Sequence, residues 1–274
     1  LHVRDSYYLD QTNPKVDWSY HDYRDAKISS YKLAVQSLIE QGYKVVRIGN
    51  GSNQALDLQS DNYIDFCLNR DQEHGDFLEL LLISLCEFFV ATTSGPLGMA
   101  AIFDTPTLAL NAVPFEPPYF RHCRFIPKRL FQEDKEINLM DVCAGKPLST
   151  SNPKAIYFAL TSEELIDNNY RYVDNSEQDI YQAVNEFAAQ VSNRVLSGNI
   201  TSLQSQYQDR LPNDFPLKDS TSLVCDSFLR QYPEIFQQNV SGEFSECTVK
   251  VESGNLNATS TVSYTHLTLP TNRE

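Results

Sequence analysis

Strand-like runs alternate with helix-spaced apolar runs from residue 29 to residue 111, and this alternation constrains the fold more than any other feature of the chain. Residues 44–49 form a β-branched run that ends in Gly49 and feeds a loop at 50–54, the pattern of a buried strand entering a turn. Residues 63–67, 88–92 and 107–111 read as further strands. Helices fill the intervals. Ser29 or Ser30 can cap one that runs to about Gln41, with Leu33, Ala34, Leu38 and Ile39 on one face and Gly42 as its stop. Asp76 opens another, residues 77–86, apolar on nearly every side, which predicts a helix buried all round. A third spans 98–103. This spacing builds βαβ units, and so predicts an α/β fold on a Rossmann-like parallel sheet.

Past residue 113 the pattern thins. Residues 114–118 are a proline-rich loop. Ser176 begins a helix with Glu177 and Asp179 in its positive first turn. Ile180, Ala183, Val184, Phe187, Ala188, Val191 and Val195 keep helical spacing, and Gly198 lies just past the end. A shorter helix is expected over 223–230. The expected division is a Rossmann-like lobe at 1–150, a helical extension packed on it at 151–238, and a disordered or non-native tail at 239–274. Within that tail, residues 262–274 resemble a translated sequencing adapter and are given no part in the fold. At the other end Leu1-His2-Val3 reads as the end of a strand. The true amino terminus is therefore expected upstream, and the sequence does not tell whether a targeting segment precedes it.

The formal net charge is −14, which argues against a broad basic surface for nucleic acid or membrane. An anionic substrate has to be held by a few placed cations and backbone N–H groups. Six cysteines make no C-x-x-C pair and no zinc-ligand spacing with histidine, so no metal is expected. Free buried thiols fit a reducing compartment, and the expected place is the cytoplasm or its face of the inner membrane. The longest apolar run, residues 77–90, is broken by Glu79, Ser84 and Glu87, short of the roughly 20 residues that span a bilayer.

Four constellations carry chemistry. In His2-Val3-Arg4-Asp5, strand alternation sets His2 and Arg4 on one face. At the carboxyl end of a parallel strand that face opens on a ligand crevice, where an arginine can grip a diphosphate and stabilise it as it leaves. The plain alternative is a surface strand end. In Thr92-Thr93-Ser94-Gly95-Pro96 a hydroxyl-rich turn enters a helix of small residues. Backbone N–H groups there make an anion site, and Gly95 allows close approach; otherwise this is an ordinary capping turn. Arg47, just before Ile48-Gly49, sits in a buried strand and needs a partner, either a ligand or an internal carboxylate. Lys128, with Arg129, is either a second cation for the departing diphosphate or a solvated charge pair.

Together these segments, with Tyr23-Arg24-Asp25-Ala26, Thr105-Pro106-Thr107, Asn111 and Phe125-Ile126-Pro127-Lys128, resemble in order a family of bacterial glycosyltransferases of surface-polysaccharide gene clusters. The resemblance covers about residues 1–189. More distantly, His2-x-Arg4 and residues 86–101 are similar to motifs of the α-1,6-fucosyltransferases, though their pattern continues with a second arginine where this chain has Asp5. The resemblance implies the nucleotide-sugar-binding lobe of a two-lobed GT-B enzyme. It implies a nucleoside-diphosphate sugar as donor and a saccharide as acceptor, with no further cofactor. Arg4 and Asp5 are the expected catalytic residues. His2, Arg4, Arg47, Gly49, Thr92, Thr93, Ser94, Gly95, Pro96 and Lys128 are the expected donor contacts. No Asp-x-Asp motif is present. The acceptor lobe is expected upstream of Leu1, leaving this fragment inactive alone. Two other classes stay open: a nucleotide-sugar epimerase of the same fold, with Asp5 and Glu116 as its carboxylates, and a non-catalytic nucleotide- or glycan-binding module.

Overall fold

The β-branched runs do pair as parallel strands. The computed structural model describes residues 1–113, 121–147, 161–196, 200–213, 215, 218 and 220–237. All of these belong to one unit, Leu1–Val240. In chain order the elements are α1 (Tyr7–Thr12), 3-10 turns at Ser19–Arg24 and Ile28–Tyr31, α2 (Lys32–Glu40), β1 (Val45–Arg47), β2 (Tyr63–Asp65), α3 (Gly75–Leu85), β3 (Phe89–Ala91), α4 (Gly95–Ile102), β4 (Thr107–Ala112) and β5 (Cys123–Pro127). Then follow β6 (Arg129–Gln132), β7 (Lys135–Ile137), α5 (Leu139–Cys143), α6 (Ser162–Asp167), β8 (Tyr170–Val173), α7 (Glu177–Ser192), α8 (Ser202–Arg210), β9 (Leu223–Val224), α9 (Asp226–Gln231) and a 3-10 turn at Pro233–Phe236.

Strands β3, β4, β5 and β9 form a four-stranded parallel sheet, and β1 pairs with β2 in parallel. The first two residues join these two groups. Leu1 N donates to Val46 O at 2.9 Å and Ile48 N donates to Leu1 O at 2.9 Å. On the other side His2 N donates to Val90 O at 2.9 Å and Thr92 N to His2 O at 3.2 Å. His2 bridges Ala91 in parallel. The hydrogen-bonded order is therefore β2, β1, the Leu1–His2 segment, β3, β4, β5, β9. The chain runs outward one way from its first segment, then returns and runs outward the other way. This is the order of a doubly wound, Rossmann-like sheet. Its order reverses between Leu1–His2 and β3, and ligands bind such sheets outside the carboxyl ends of the strands at that point.

Every residue of β4 and β5 is buried, as a sheet covered on both faces requires. Helices α2 and α7 pack together. Ala34, Val35 and Leu38 are the buried residues of α2, and Ile180, Ala183, Val184, Phe187 and Ala188 are the buried apolar residues of α7. Phe88 meets Phe187 edge to face at 5.7 Å. Burying such side chains stabilises by about 1.5–3 kcal/mol each. Ser176 and Asp179 close a capping box at the start of α7.

Several expectations need correction. Neither Ser29 nor Ser30 caps α2, since a 3-10 turn precedes it. Helix α3 is not buried all round: only Gly75 and Ile83 are, while Phe77 and Leu85 are 64% and 74% exposed. Helix α4 begins three residues before the expected 98, because Pro96 in its first turn presets a helical backbone. Helix α7 stops at Ser192, so Val195 lies beyond it. The expected helix at 223–230 begins instead as strand β9. A three-stranded antiparallel sheet, β7-β6-β8, was not anticipated. The 114–118 loop, Glu116, Gly198, Cys247 and the 239–274 tail lie outside the described residues.

A bulge in β4 prepares the site. The β4–β5 register shifts between Ala109 and Ala112, and Asn111 adopts a φ of 52° there. Asn111 N donates to Asn175 Oδ1 at 2.7 Å, and Asn175 N returns a bond to Asn111 Oδ1 at 2.6 Å. Both residues are buried. This reciprocal pair fixes the chain next to Asp174.

Candidate functional site

The strand-order reversal brings together two segments about ninety positions apart. Arg4 N donates to Thr92 Oγ1 at 2.9 Å, which ties the end of the first segment to the turn after β3. Ser94 Oγ lies 3.1 Å from His2 Nδ1 and donates to Thr92 O at 3.0 Å. A hydroxyl has one proton, so His2 carries its own on Nδ1 and donates to Ser94. His2 is neutral: burial first, and the guanidiniums of Arg47 and Arg4 after it, hold its pKa well below the usual imidazole range. Thr93 Oγ1 accepts from Val113 N at 3.3 Å. Gly95 is exposed, and a side chain added there would meet nothing within 4 Å. Pro96 follows it in the first turn of α4.

The 3-10 turn at Ser19–Arg24 supplies the rest. Arg24 Nη2 donates to Thr93 O at 3.2 Å, so a second guanidinium stands beside the hydroxyl turn. Arg4 Nη1 donates to the Asp25 carboxylate and, at 3.4 Å, to His21 O. Arg4 Nη2 donates to His21 Nδ1 at 3.2 Å. Burial, then Arg4 and Arg24, lower the His21 pKa, which keeps Nδ1 an acceptor. Burial pushes the Asp25 carboxyl up to about 6 in spite of Arg4 beside it.

Three expected contacts do other work. Lys128 is 3% exposed, and its ammonium donates to Tyr23 O at 2.8 Å, Asp25 O at 2.6 Å and Asp174 Oδ1 at 2.8 Å. All three of its protons are used, so Lys128 holds the 23–25 segment in place. Arg47 is 1% exposed and donates to Asp65 Oδ2 at 3.1 Å and Gln54 O at 2.7 Å. It is the internal ion pair weighed above, and it pins the 50–54 loop to β2. Gly49 has a φ of 144° and its N–H donates to Glu79 Oε1 at 3.0 Å. Cys67 Sγ lies 3.0 Å from where a Gly49 side chain would start, so glycine lets these segments meet. Asp5 accepts from Ser52 Oγ, Asn53 N and Tyr7 N, which makes it the other anchor of the 50–54 loop.

The structure therefore gathers His2, Arg4, Thr92, Thr93, Ser94 and Gly95 at one place and sets Arg47 and Lys128 into supporting roles. It adds His21, Arg24 and Asp25. The Tyr23-Arg24-Asp25-Ala26 motif carried that signal, but nothing in the motif says which strand end it reaches. A separate cavity of about 340 Å³, lined by Leu1, Val45, Phe88 and Val184 among others, lies toward the amino ends of the strands and shares no residue with this cluster. The cysteines among the described residues are free; four are buried and Cys86 is half-buried. No described helix is long and apolar enough to cross a membrane. Compared with family models, curated proteins and solved structures, the chain gives no match.

Proposed function

We propose that this chain is the nucleotide-sugar-binding lobe of a GT-B type glycosyltransferase, one that passes a sugar from a nucleoside-diphosphate sugar to a saccharide acceptor. One observation carries the reading. Two guanidiniums, Arg4 and Arg24, and the hydroxyl turn 92–94 meet where the strand order of a doubly wound sheet reverses. Such a point offers the carboxyl ends of two diverging strands and the start of a helix to one ligand. Two cations, the Thr93 hydroxyl and the backbone N–H groups at the start of α4 suit a diphosphate leaving group, whose negative charge grows as the bond to the sugar breaks. The reaction transfers the glycosyl group to an acceptor hydroxyl, and the acceptor's proton leaves to a base outside this cluster. The motif order described above adds the family expectation of a surface-polysaccharide acceptor.

Calorimetry with a panel of nucleoside diphosphates tests the reading. Arg4→Ala is expected to weaken binding by about 1.5–3 kcal/mol, the range for a charge-assisted bond. Unchanged affinity in a folded variant would remove Arg4 from the site and the reading with it.

A further inference from the structure

We infer that Asp25 is the internal counter-ion of Arg4: its carboxylate occupies the edge of the guanidinium that a phosphoryl group takes, and a bound anion displaces it. The inference rests on the reading of the strand-order reversal as a phosphate site. The geometry supports it in three ways.

First, the outer edge of Arg4 is filled from within the chain, Nη1 by Asp25 and His21 O, and Nη2 by His21 Nδ1. An end-on, two-pronged grip on an anion needs that edge. Second, the carboxylate can leave without the backbone moving. Lys128 holds the carbonyl of Asp25 at 2.6 Å, and Asp25 N donates to Asp22 O at 2.9 Å. Among the described residues the carboxylate itself is bonded through Arg4 alone, and its side chain is 24% exposed. It is anchored at the backbone and free to turn at the side chain.

Third, the charges leave no room for both anions. Among the described residues, Arg4 and Asp5 from the first segment, Asp22 from the 3-10 turn and Lys128 from the end of β5 act on Asp25, with His21 on Arg4, Arg24 beside His21, and Asp174 on Lys128. Among the described residues three cations (Arg4, Arg24, Lys128) stand against four carboxylates (Asp5, Asp22, Asp25, Asp174). With His21 neutral the cluster is net −1 before any ligand arrives. A divalent anion added to it meets like charge unless one carboxylate is neutralised. Asp25 is the one placed to accept a proton, because burial already holds its carboxyl at about 6. The balanced step is one proton taken from solvent by the Asp25 carboxylate as the anion takes its place on Arg4.

The probe is inorganic sulfate, whose charge is constant between pH 5 and 8. Its affinity is measured by calorimetry for the chain, Asp25→Asn and Arg4→Ala, with folding followed by circular dichroism. Asparagine keeps the size of the side chain and can still accept from Arg4, and Lys128 keeps its grip on the backbone. With the Asp25 carboxyl at about 6 and one proton taken up, proton linkage predicts sulfate binding to the unaltered chain up to about 25-fold tighter at pH 5.5 than at pH 7.5. Asp25→Asn should bind tighter than the unaltered chain at pH 7.5 and show a flat pH profile. An Asp25→Asn variant that binds no tighter, or keeps the pH slope, overturns the inference; loss of binding in Arg4→Ala would then leave the phosphate-site reading standing. Arg4→Ala binding sulfate as well as the unaltered chain overturns both.

Discussion

Replacing Lys128 by methionine separates a cation that holds the chain from one that holds a ligand. The methionine stem fills much the same space, so the packing change is small. What changes is the ammonium, which makes three bonds of 2.6 to 2.8 Å from a side chain 3% exposed. Two of its acceptors are the carbonyls of Tyr23 and Asp25, and each bond to a charged donor contributes about 1.5–3 kcal/mol. The third, Asp174, is 32% exposed and rehydrates at little cost. The expected loss is about 3–5 kcal/mol, the range for breaking a buried pair. That is a large part of a typical stability of about 5–15 kcal/mol. Urea unfolding followed by the fluorescence of Trp18, the single tryptophan, reads it directly. At a slope of about 3 kcal/mol per molar, the midpoint should fall by about 1–1.7 M. A midpoint lowered by less than about 0.3 M, with anion binding lost, would refute the reasoning. It would return Lys128 to the ligand.

Gly95→Val places a side chain in open space at the start of α4. Its stability should change by no more than about 0.5 kcal/mol, while nucleoside-diphosphate affinity should fall at least about tenfold from the steric block; a collapsed melt with normal affinity per folded molecule would make the turn structural only. Acid unfolding should become steeper in Asp25→Asn. His2, held well below the usual imidazole range mainly by burial, costs stability as pH falls from the unfolded value of about 6.5, because only the unfolded chain takes up that proton. Asp25, pushed up to about 6, opposes this, since the folded carboxyl binds a proton between about pH 6 and 4 that the unfolded one does not. Superimposable acid curves for the two proteins would show that Asp25 is not held in that state.

What the sequence revealed follows from which physical signals are local. Strands β3 and β4 are short, mostly apolar runs, and burial on both faces makes such runs continuous; β1 stays legible because its Arg47 comes at the end, before Ile48-Gly49. Strand β5 hides because Arg124 interrupts it. Arg124 Nη1 and Nη2 donate to Cys123 O and Leu196 O, the second of them 72 residues away. The antiparallel strands β6 to β8 are three or four residues long and carry Arg129, Gln132, Lys135 and Arg171, so no alternation stands out. Helix α3 shows the reverse failure. Its composition predicts burial on every side, yet composition does not say what covers a face, and Phe77, Leu80, Leu81 and Leu85 face outward. At the site, residue types were legible and partners were not. His2, Arg4 and the 92–95 turn announce strand-end chemistry. Which carboxylate meets which cation is decided over separations of 18 residues for Arg47 and Asp65, 21 for Arg4 and Asp25, and 46 for Lys128 and Asp174. No spacing rule reaches that far.

The same charge pattern bears on how an anion arrives. A nucleotide site set in a basic surface draws its ligand by a long-range field, so its association rate falls as salt rises. This chain carries a formal net charge of −14, and Arg4 and Lys128 are each paired with a carboxylate at contact distance. An approaching dianion is therefore repelled at long range, and gains from Arg4 and Arg24 only at close contact. The screening length shrinks from about 30 Å at 0.01 M salt to about 10 Å at 0.1 M. Added salt should thus remove the repulsion while leaving the contact itself little changed, since the Arg4 side chain is 11% exposed. Stopped-flow mixing with a fluorescent nucleoside diphosphate, at ionic strengths of about 0.02 and 0.2 M, should show the association rate rising with salt and the dissociation rate nearly constant. An association rate that falls with salt would mean that Arg4 and Arg24 project a net positive field into solvent. The carboxylates around them, Asp25 first, would then not be cancelling it.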